Sequence, residues 1–230
     1  MNTLKFNKCI FCGEKHLYIV SSTQYKCSTC KKKFSTKKLQ KDFDILVCFC
    51  ENMSAKETSK TLHVSYKSVK ERYEFLRQII VVYLEEVYQS RNIEFSEYDE
   101  YYYLPKNKRG KVKYLFDAIG ILGMVYAQSI YTLMLPEQFT HLKEYQEESD
   151  VNHAYLKEYA RFLNRYKIVH YKKFDNLLIS FWVYIEQEMG RFKGVSKENF
   201  IYYLKECEFK FNHKNEDIKN ILWKLWLKRV

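Results

Sequence analysis

The sequence predicts an α+β protein in three parts: a cysteine-held N-terminal ribbon, a short helical segment and a strand-led C-terminal region. Three observations carry that prediction. Cys9-x-x-Cys12 and Cys27-x-x-Cys30 have metal-knuckle spacing. Only two prolines and six glycines punctuate 230 residues, which favours helices over elaborate loops. From Ile93 to Leu133, aromatic and β-branched residues cluster in short runs of the kind that form strands. A hydrophobic content of 47%, with 17% aromatic residues, is enough for a substantial core and argues against wholesale disorder.

The ribbon is assigned to residues 1–38. Each cysteine pair can present two thiolates to one ion from a tight turn. The fourteen residues between Cys12 and Cys27 suffice for a hairpin that brings the two turns together, just below the usual spacing of roughly 15–20. Gly13, directly after Cys12, supplies the conformational freedom such a turn needs. Cys9, Cys12, Cys27 and Cys30 are therefore expected to hold a structural zinc ion. His16 lies inside the ribbon loop and would compete as a ligand only if a cysteine were absent. His63, His141, His153, His170 and His213 have no mutual metal spacing.

The remaining cysteines, Cys48, Cys50 and Cys207, are scattered and do not resemble a secreted disulfide framework. Cys48 and Cys50 fall on different sides of one helix and read as core packing rather than a redox pair. The opening MNTLKFNKCIFCGEK has no apolar stretch of the secretory type. The one membrane-like run, Tyr114 to Leu135, is interrupted by Asp117, Gln128 and the pair Gly120/Gly123, and short strands explain it better than a bilayer span. The expectation is a cytoplasmic, nucleoid-associated protein with no membrane partner.

Charge is unevenly spread. The formal net charge is +11, of which residues 1–41, with ten lysines and one glutamate, supply +9. Lys31, Lys32, Lys33, Lys37 and Lys38 follow the second cysteine pair directly. A metal-held ribbon carrying this charge suggests a reader of nucleic acid, with double-stranded DNA as the expected partner and a salt-dependent, sequence-independent component to its affinity.

Residues 39–90 read as three helices. The first is expected over 42–51, with Phe43, Leu46, Val47 and Cys50 on one side. Ser54-x-x-Glu57 is a capping box that starts the second, Ala55 to Thr61. Leu62-His63-Val64 form the connection, and Ser65 caps a third helix running from Tyr66 to about Gln89. Two short helices and a three-residue turn fit a helix-turn-helix whose third helix recognises DNA through Ser65, Tyr66, Lys67, Ser68, Lys70 and Arg72. The long remainder of that helix carries Phe75, Ile79, Val82 and Glu86 along one stripe, a candidate homodimer seam.

In residues 91–230 strands are expected at Ile93–Tyr98, Val112–Ile119 and Met124–Leu133, with 105–111 joining the first two. Helices follow from Pro136 to Glu148 and from Val151 to Asn164, then a fourth strand at 167–171. An apolar helix capped by Asp175 runs to Met189 and stops at Gly190. Another is capped by Ser196, with Phe200, Leu204, Cys207 and Phe211 at helical spacing. Tyr101, Tyr102 and Tyr103 can stack on unpaired bases or form an edge strand. Trp223 and Trp226, at i and i+3, read as residues that dock the last helix.

In this order the pieces resemble bacterial insertion-sequence transposases with an N-terminal zinc ribbon, a helix-turn-helix and a DDE-type, ribonuclease-H-like catalytic domain. The most specific stretches are Tyr98-Asp99-Glu100-Tyr101 and the run from Asn176 through Phe181-Trp182, Phe192-Lys193-Gly194-Val195-Ser196-Lys197 and Tyr203-Leu204-Lys205-Glu206 to Phe209-Lys210-Phe211-Asn212. The latter is similar to the family's tail N-x-I-E-x-F-W … F-x-G-V-S-K … Y-L-x-E-x-x-F-R-F-N. The resemblance implies a mixed ribonuclease-H-like sheet, and strand transfer by two magnesium or manganese ions held by three carboxylates.

By that resemblance Asp99 is the first metal-binding carboxylate and Asp150 the second. Asp99 shares strand parity with Ile93 and Phe95, whereas Glu100 points the other way. At the third position stands Ile179, which cannot coordinate a metal, and Glu186 lies seven residues further along the helix. The sequence thus supports two expectations: a transposase-like protein that binds element ends, or a catalytically inactive, transposase-derived transcription regulator.

Overall fold

The computed structural model describes residues 6–90, 96–109, 114, 117–135, 176–192 and 194–229. These form an α+β structure with two three-stranded antiparallel sheets. Contacts divide the chain into two compact units, residues 1–83 with 213–230, and residues 84–212. The grouping of the C-terminal helix with the ribbon is a tertiary feature that the pattern of residues does not announce.

In the first unit, β1 (Leu17–Ser21), β2 (Gln24–Cys27) and β3 (Lys33–Ser35) make the ribbon sheet. Helix α1 (Thr36–Cys50) begins six residues before the expected start, because the Ser35 side chain accepts from the Lys38 amide and caps it at the end of β3. Lys37 and Lys38 consequently lie in the first turn of a helix. Helix α2 (Ala55–Thr61) and its reciprocal Ser54/Glu57 capping box match the expectation. Helix α3 (Tyr66–Gln89), of which residues to Tyr83 belong to this unit, also has the expected bounds, and Ser65 accepts from the Ser68 amide at its start. His63 in the connection has φ 51°, the left-handed conformation that turns the chain.

Ile45, Leu46 and Phe49 of α1 and Val69, Tyr73 and Leu76 of α3 are buried, and the Phe49 and Tyr73 rings meet edge-on at 5.0 Å in the interior. Thr58 and Tyr73 pair their hydroxyls at 2.7 Å inside it, and the Tyr73 hydroxyl also donates to the Met53 carbonyl. The C-terminal helix, α6 (Ile218–Leu227), docks through its tryptophans as expected. Trp223 meets Phe43 edge-on at 5.2 Å, and Trp226 meets Phe75 at 5.0 Å. Of the four residues of the proposed dimer stripe, Phe75 packs on Trp226 and Ile79 is buried, whereas Val82 is 45% exposed and Glu86 is exposed.

In the second unit, β4 (Glu97–Tyr103), β5 (Ile119–Tyr126) and β6 (Ser129–Met134) form a meander in the order β4-β5-β6. Residues 93–95 of the first expected strand, and 112, 113, 115 and 116 of the second, lie outside the described residues. Strand β4 runs on to Tyr103, and the expected strand at Met124–Leu133 is instead the end of β5, a turn at Ala127–Gln128 and most of β6. Both turn residues have positive φ, 43° and 62°, without the glycine or asparagine that ordinarily marks such a hairpin. Tyr101, Tyr102 and Tyr103 are buried and not available to bases. The expected helices and strand between Pro136 and Asp175, including Asp150, lie outside the described residues.

Helix α4 (Leu177–Met189) is capped by Asn176, whose side chain accepts from the Ile179 amide, and ends at Gly190. Helix α5 (Phe200–Asn212) starts after a turn in which the Asn199 amide donates to the Ser196 carbonyl. Both pack on the sheet around Tyr101, Tyr103, Ile121, Phe181, Trp182 and Phe200. Gly123 on β5 permits this closeness, since a Cβ there would lie 2.7 Å from the Trp182 ring. Helix α5 also completes the edge of β6. The Asn212 side chain accepts from the Ile130 amide at 2.8 Å and donates to its carbonyl at 2.7 Å, while Glu208 accepts from the Thr132 amide at 2.9 Å. At those two residues, side chains stand in for a neighbouring strand.

Candidate metal centre and nucleic-acid surface

The two cysteine turns have the same backbone construction. The Cys9 amide donates to the Glu14 carbonyl and the Cys27 amide to the Lys32 carbonyl, each five residues on. The amides of Phe11 and Thr29, each two residues on, donate to the Cys9 and Cys27 sulfurs at 3.4 Å. Gly13 (φ 78°) and Lys31 (φ 60°) occupy equivalent left-handed positions. Glycine at the first site was legible in the sequence; lysine at the second was not, because its side chain disfavours that conformation. Glu14 ties the turns together, accepting from the His16 amide and from the Thr29 hydroxyl at 3.0 Å.

This repeat brings all four sulfurs within 4.8 Å of one another, the one metal-capable group of three or more ligands among the described residues. Cys9 and Cys30 are 3.6 Å apart and Cys12 and Cys27 3.5 Å. A tetrahedral zinc with sulfurs about 2.3 Å away places them about 3.8 Å apart, so the residues fit the ion. Burial pushes the Cys27 thiol up, but the Cys30 and Thr29 amides aimed at its sulfur outweigh it and bring it down to about 7. Cys30 has the Lys32 amide favouring its thiolate, yet desolvation and its three sulfur neighbours push it up to about 12. Four thiolates this close are compatible only with a cation between them.

Of the lysines predicted to contact DNA, Lys31 and Lys32 follow Cys30 in the second cysteine turn, Lys33 opens β3, and Lys37 and Lys38 lie in the first turn of α1. Lys31, Lys32, Lys33, Lys37 and Lys38 are all exposed. Lys32 lies 4.5 Å over the Phe11 ring, and the Lys31 amine donates to the Ser28 carbonyl. On α3, Ser65, Tyr66, Lys67 and Lys70 are exposed and Ser68 half-buried, with Lys70 3.6 Å from Glu74. Arg72 is held differently. Its Nε donates to buried Asp42 at 2.8 Å, an ion pair that links α3 to α1.

In the second unit, Asp99 faces α4 as strand parity predicts. Its Oδ2 accepts from the Trp182 indole at 3.2 Å and its Oδ1 from the Glu100 amide at 2.9 Å. Glu186, one turn beyond Trp182, accepts from the Tyr101 hydroxyl and from Arg109 at 2.5 Å. Burial pushes the Glu186 carboxyl up to about 7, and the guanidinium beside it works against that. Arg109 and Glu186 line a cleft of about 880 Å³ with Tyr103, Lys106, Lys108 and Lys197. The Arg109 pairing had no sequence signal, since the two residues are 77 positions apart.

No helix among the described residues is long and apolar enough to cross a membrane. Over 41 residues the chain is 44% identical to a protein of Haemophilus influenzae named "Uncharacterized transposase-like protein". That stretch is 18% of this chain and 32% of that protein, so the match spans about a third of the relative's length. No family model matches the chain, and no solved structure matches it. The likeness is to a transposase-like protein, and the four-cysteine cluster is able to bind zinc.

Proposed function

We propose that this is a transposase-related DNA-binding protein of the insertion-sequence type. Zinc holds the ribbon (1–38), α1–α3 act as a helix-turn-helix with a long connector (39–90), and residues from 91 onward derive from a ribonuclease-H-like catalytic domain. The observation that carries the reading is the four-sulfur cluster, which stiffens a lysine-rich segment in the same compact unit as the capped helices α2 and α3. Zinc here would be structural, supplying folding energy to the ribbon rather than chemistry. The antiparallel β4-β5-β6 meander, with Asp99 turned toward α4, supports the ribonuclease-H-like assignment over an all-helical regulator domain.

Binding without strand transfer is the form of the function that the second unit favours. Both oxygens of Asp99 already accept hydrogen bonds, Ile179 stands where the family has glutamate, and Glu186 is engaged by Tyr101 and Arg109. A magnesium or manganese pair needs carboxylates converging on one point. The test is direct. Purified protein should carry about one zinc, bind duplex DNA with an affinity that falls steeply with salt, and leave a cognate end uncut with either metal. Duplex affinity indifferent to salt would refute the binding reading, and cleavage abolished by Asp99→Ala would refute the loss of catalysis.

A further inference from the structure

The ribbon sheet has one face turned inward and one turned out, and the outward face is unusual. Cross-strand partners in an antiparallel pair share a face. Tyr25 lies opposite Ile19 and Phe34, and the Tyr25 and Phe34 rings stack at 5.9 Å on the side of the cysteine core. The opposite face carries Tyr18, Lys26 and Lys33 in one row, because Tyr18 pairs with Lys26 and Lys26 with Lys33.

Two features of that row conflict with folding alone. Like charges directly opposite each other across strands are destabilising, yet Lys26 and Lys33 are such a pair, and neither has an ion-pair partner among the described residues. Tyr18 is 51% exposed at the end of the row, on an edge strand whose next residue, Ile19, is 76% exposed. Ile19 belongs to the Tyr25 face and Val20 sits at the irregularity in the pairing, so Tyr18 is the exposed ring that stands in the lysine row. The Tyr18 ring meets His16 edge-on at 5.2 Å, but the Lys26–Lys33 repulsion has no compensation among the described residues, and a local rule broken in this way marks a surface shaped for a ligand.

The geometry points to a single-stranded DNA platform on this face, with Tyr18 stacking on an unpaired base while Lys26 and Lys33 neutralise the adjoining phosphates. An anionic backbone relieves the lysine repulsion, and an exposed ring beside cations is the arrangement that holds unpaired bases irrespective of sequence. The surplus of +9 over residues 1–41 favours a polyanion over a second copy of this chain at the β1 edge. This inference rests on the DNA-binding reading and adds to it a second form of DNA, bound by residues other than those of α3.

The experiment uses full-length, zinc-loaded protein with fluorescein-labelled oligo(dT) and a labelled duplex, read by anisotropy. Tyr18→Ala should weaken oligo(dT) binding about tenfold and leave duplex affinity unchanged, while Tyr18→Phe should bind oligo(dT) as the parent does. Lys26→Glu should also weaken oligo(dT) binding, yet raise the thermal midpoint, because it converts a repulsive pair with Lys33 into an attractive one. A loss of binding through misfolding would lower that midpoint instead, and would overturn the assignment. So would duplex binding that persists with oligo(dT) affinity untouched by Tyr18→Ala, or a Tyr18→Ala variant that changes only the oligomeric state. Failure to bind either form of DNA would refute the DNA-binding reading itself.

Discussion

The indole of Trp182 donates to Asp99 across 3.2 Å, over a glycine, Gly123, that pairs with Asp99 in the neighbouring strand. This relationship ties the first candidate metal-binding carboxylate to the packing of α4 on the sheet. With the Glu100 amide on its other oxygen, Asp99 serves as an internal acceptor. Magnesium or manganese should therefore leave the thermal midpoint of the protein unchanged. A rise in the midpoint with either ion, cancelled by Asp99→Asn, would show a working metal site.

Gly123→Ala tests the packing beneath that bond. The added methyl would lie 2.7 Å from the Trp182 ring and 2.8 Å from Leu178, so α4 must shift away from β5. The expected loss is about 1–3 kcal/mol in denaturant unfolding. Stability equal to the parent's would mean that α4 does not sit this close to the sheet.

Zinc affinity should fall as pH is lowered, since each ligand must be a thiolate. The sign follows from Cys27, whose thiol titrates at about 7. Above that pH it is already ionised and releases no proton on binding. Below it, one more proton must leave, so the affinity falls more steeply with each further step down in pH. Competition titrations with a chromogenic chelator measure this, and a pH-independent affinity would argue against a four-thiolate site.

Lys31→Gly should stabilise the ribbon. Lys31 holds φ 60° where the matching turn has Gly13 at 78°, and relief of a left-handed side-chain clash contributes about 1 kcal/mol. The loss of one surface lysine should at the same time reduce duplex affinity and flatten its salt dependence slightly. A lower thermal midpoint for the zinc-loaded variant would contradict the equivalence of the two turns.

Asn212→Ala should destabilise the second unit by about 1–3 kcal/mol, the cost of leaving buried backbone groups without partners. Its amide answers both the N–H and the C=O of Ile130. Hydrogen exchange at the Ile130 amide should quicken in the variant, and unchanged protection there would remove Asn212 from the role of edge partner.

Features made by residues close in sequence were readable from the chain alone. The Cys-x-x-Cys spacing, the Ser54/Glu57 capping box, the bounds of α2 and α3 and the charged ribbon all depend on contacts within a few positions, where residue type determines geometry directly. Asp99 pointing to one face and Glu100 to the other followed from strand periodicity in the same way. What tertiary structure alone decided involves partners far apart. Ala127 and Gln128 make a hairpin with no local turn signal, which splits the single strand expected at Met124–Leu133, and the three tyrosines of β4 are buried. Arg72 was drawn to Asp42, 30 positions away, and the tryptophans of the last helix found Phe43 and Phe75. Such pairings are chosen by burial and by the need to satisfy polar groups once distant segments meet, a condition that no short window of sequence contains.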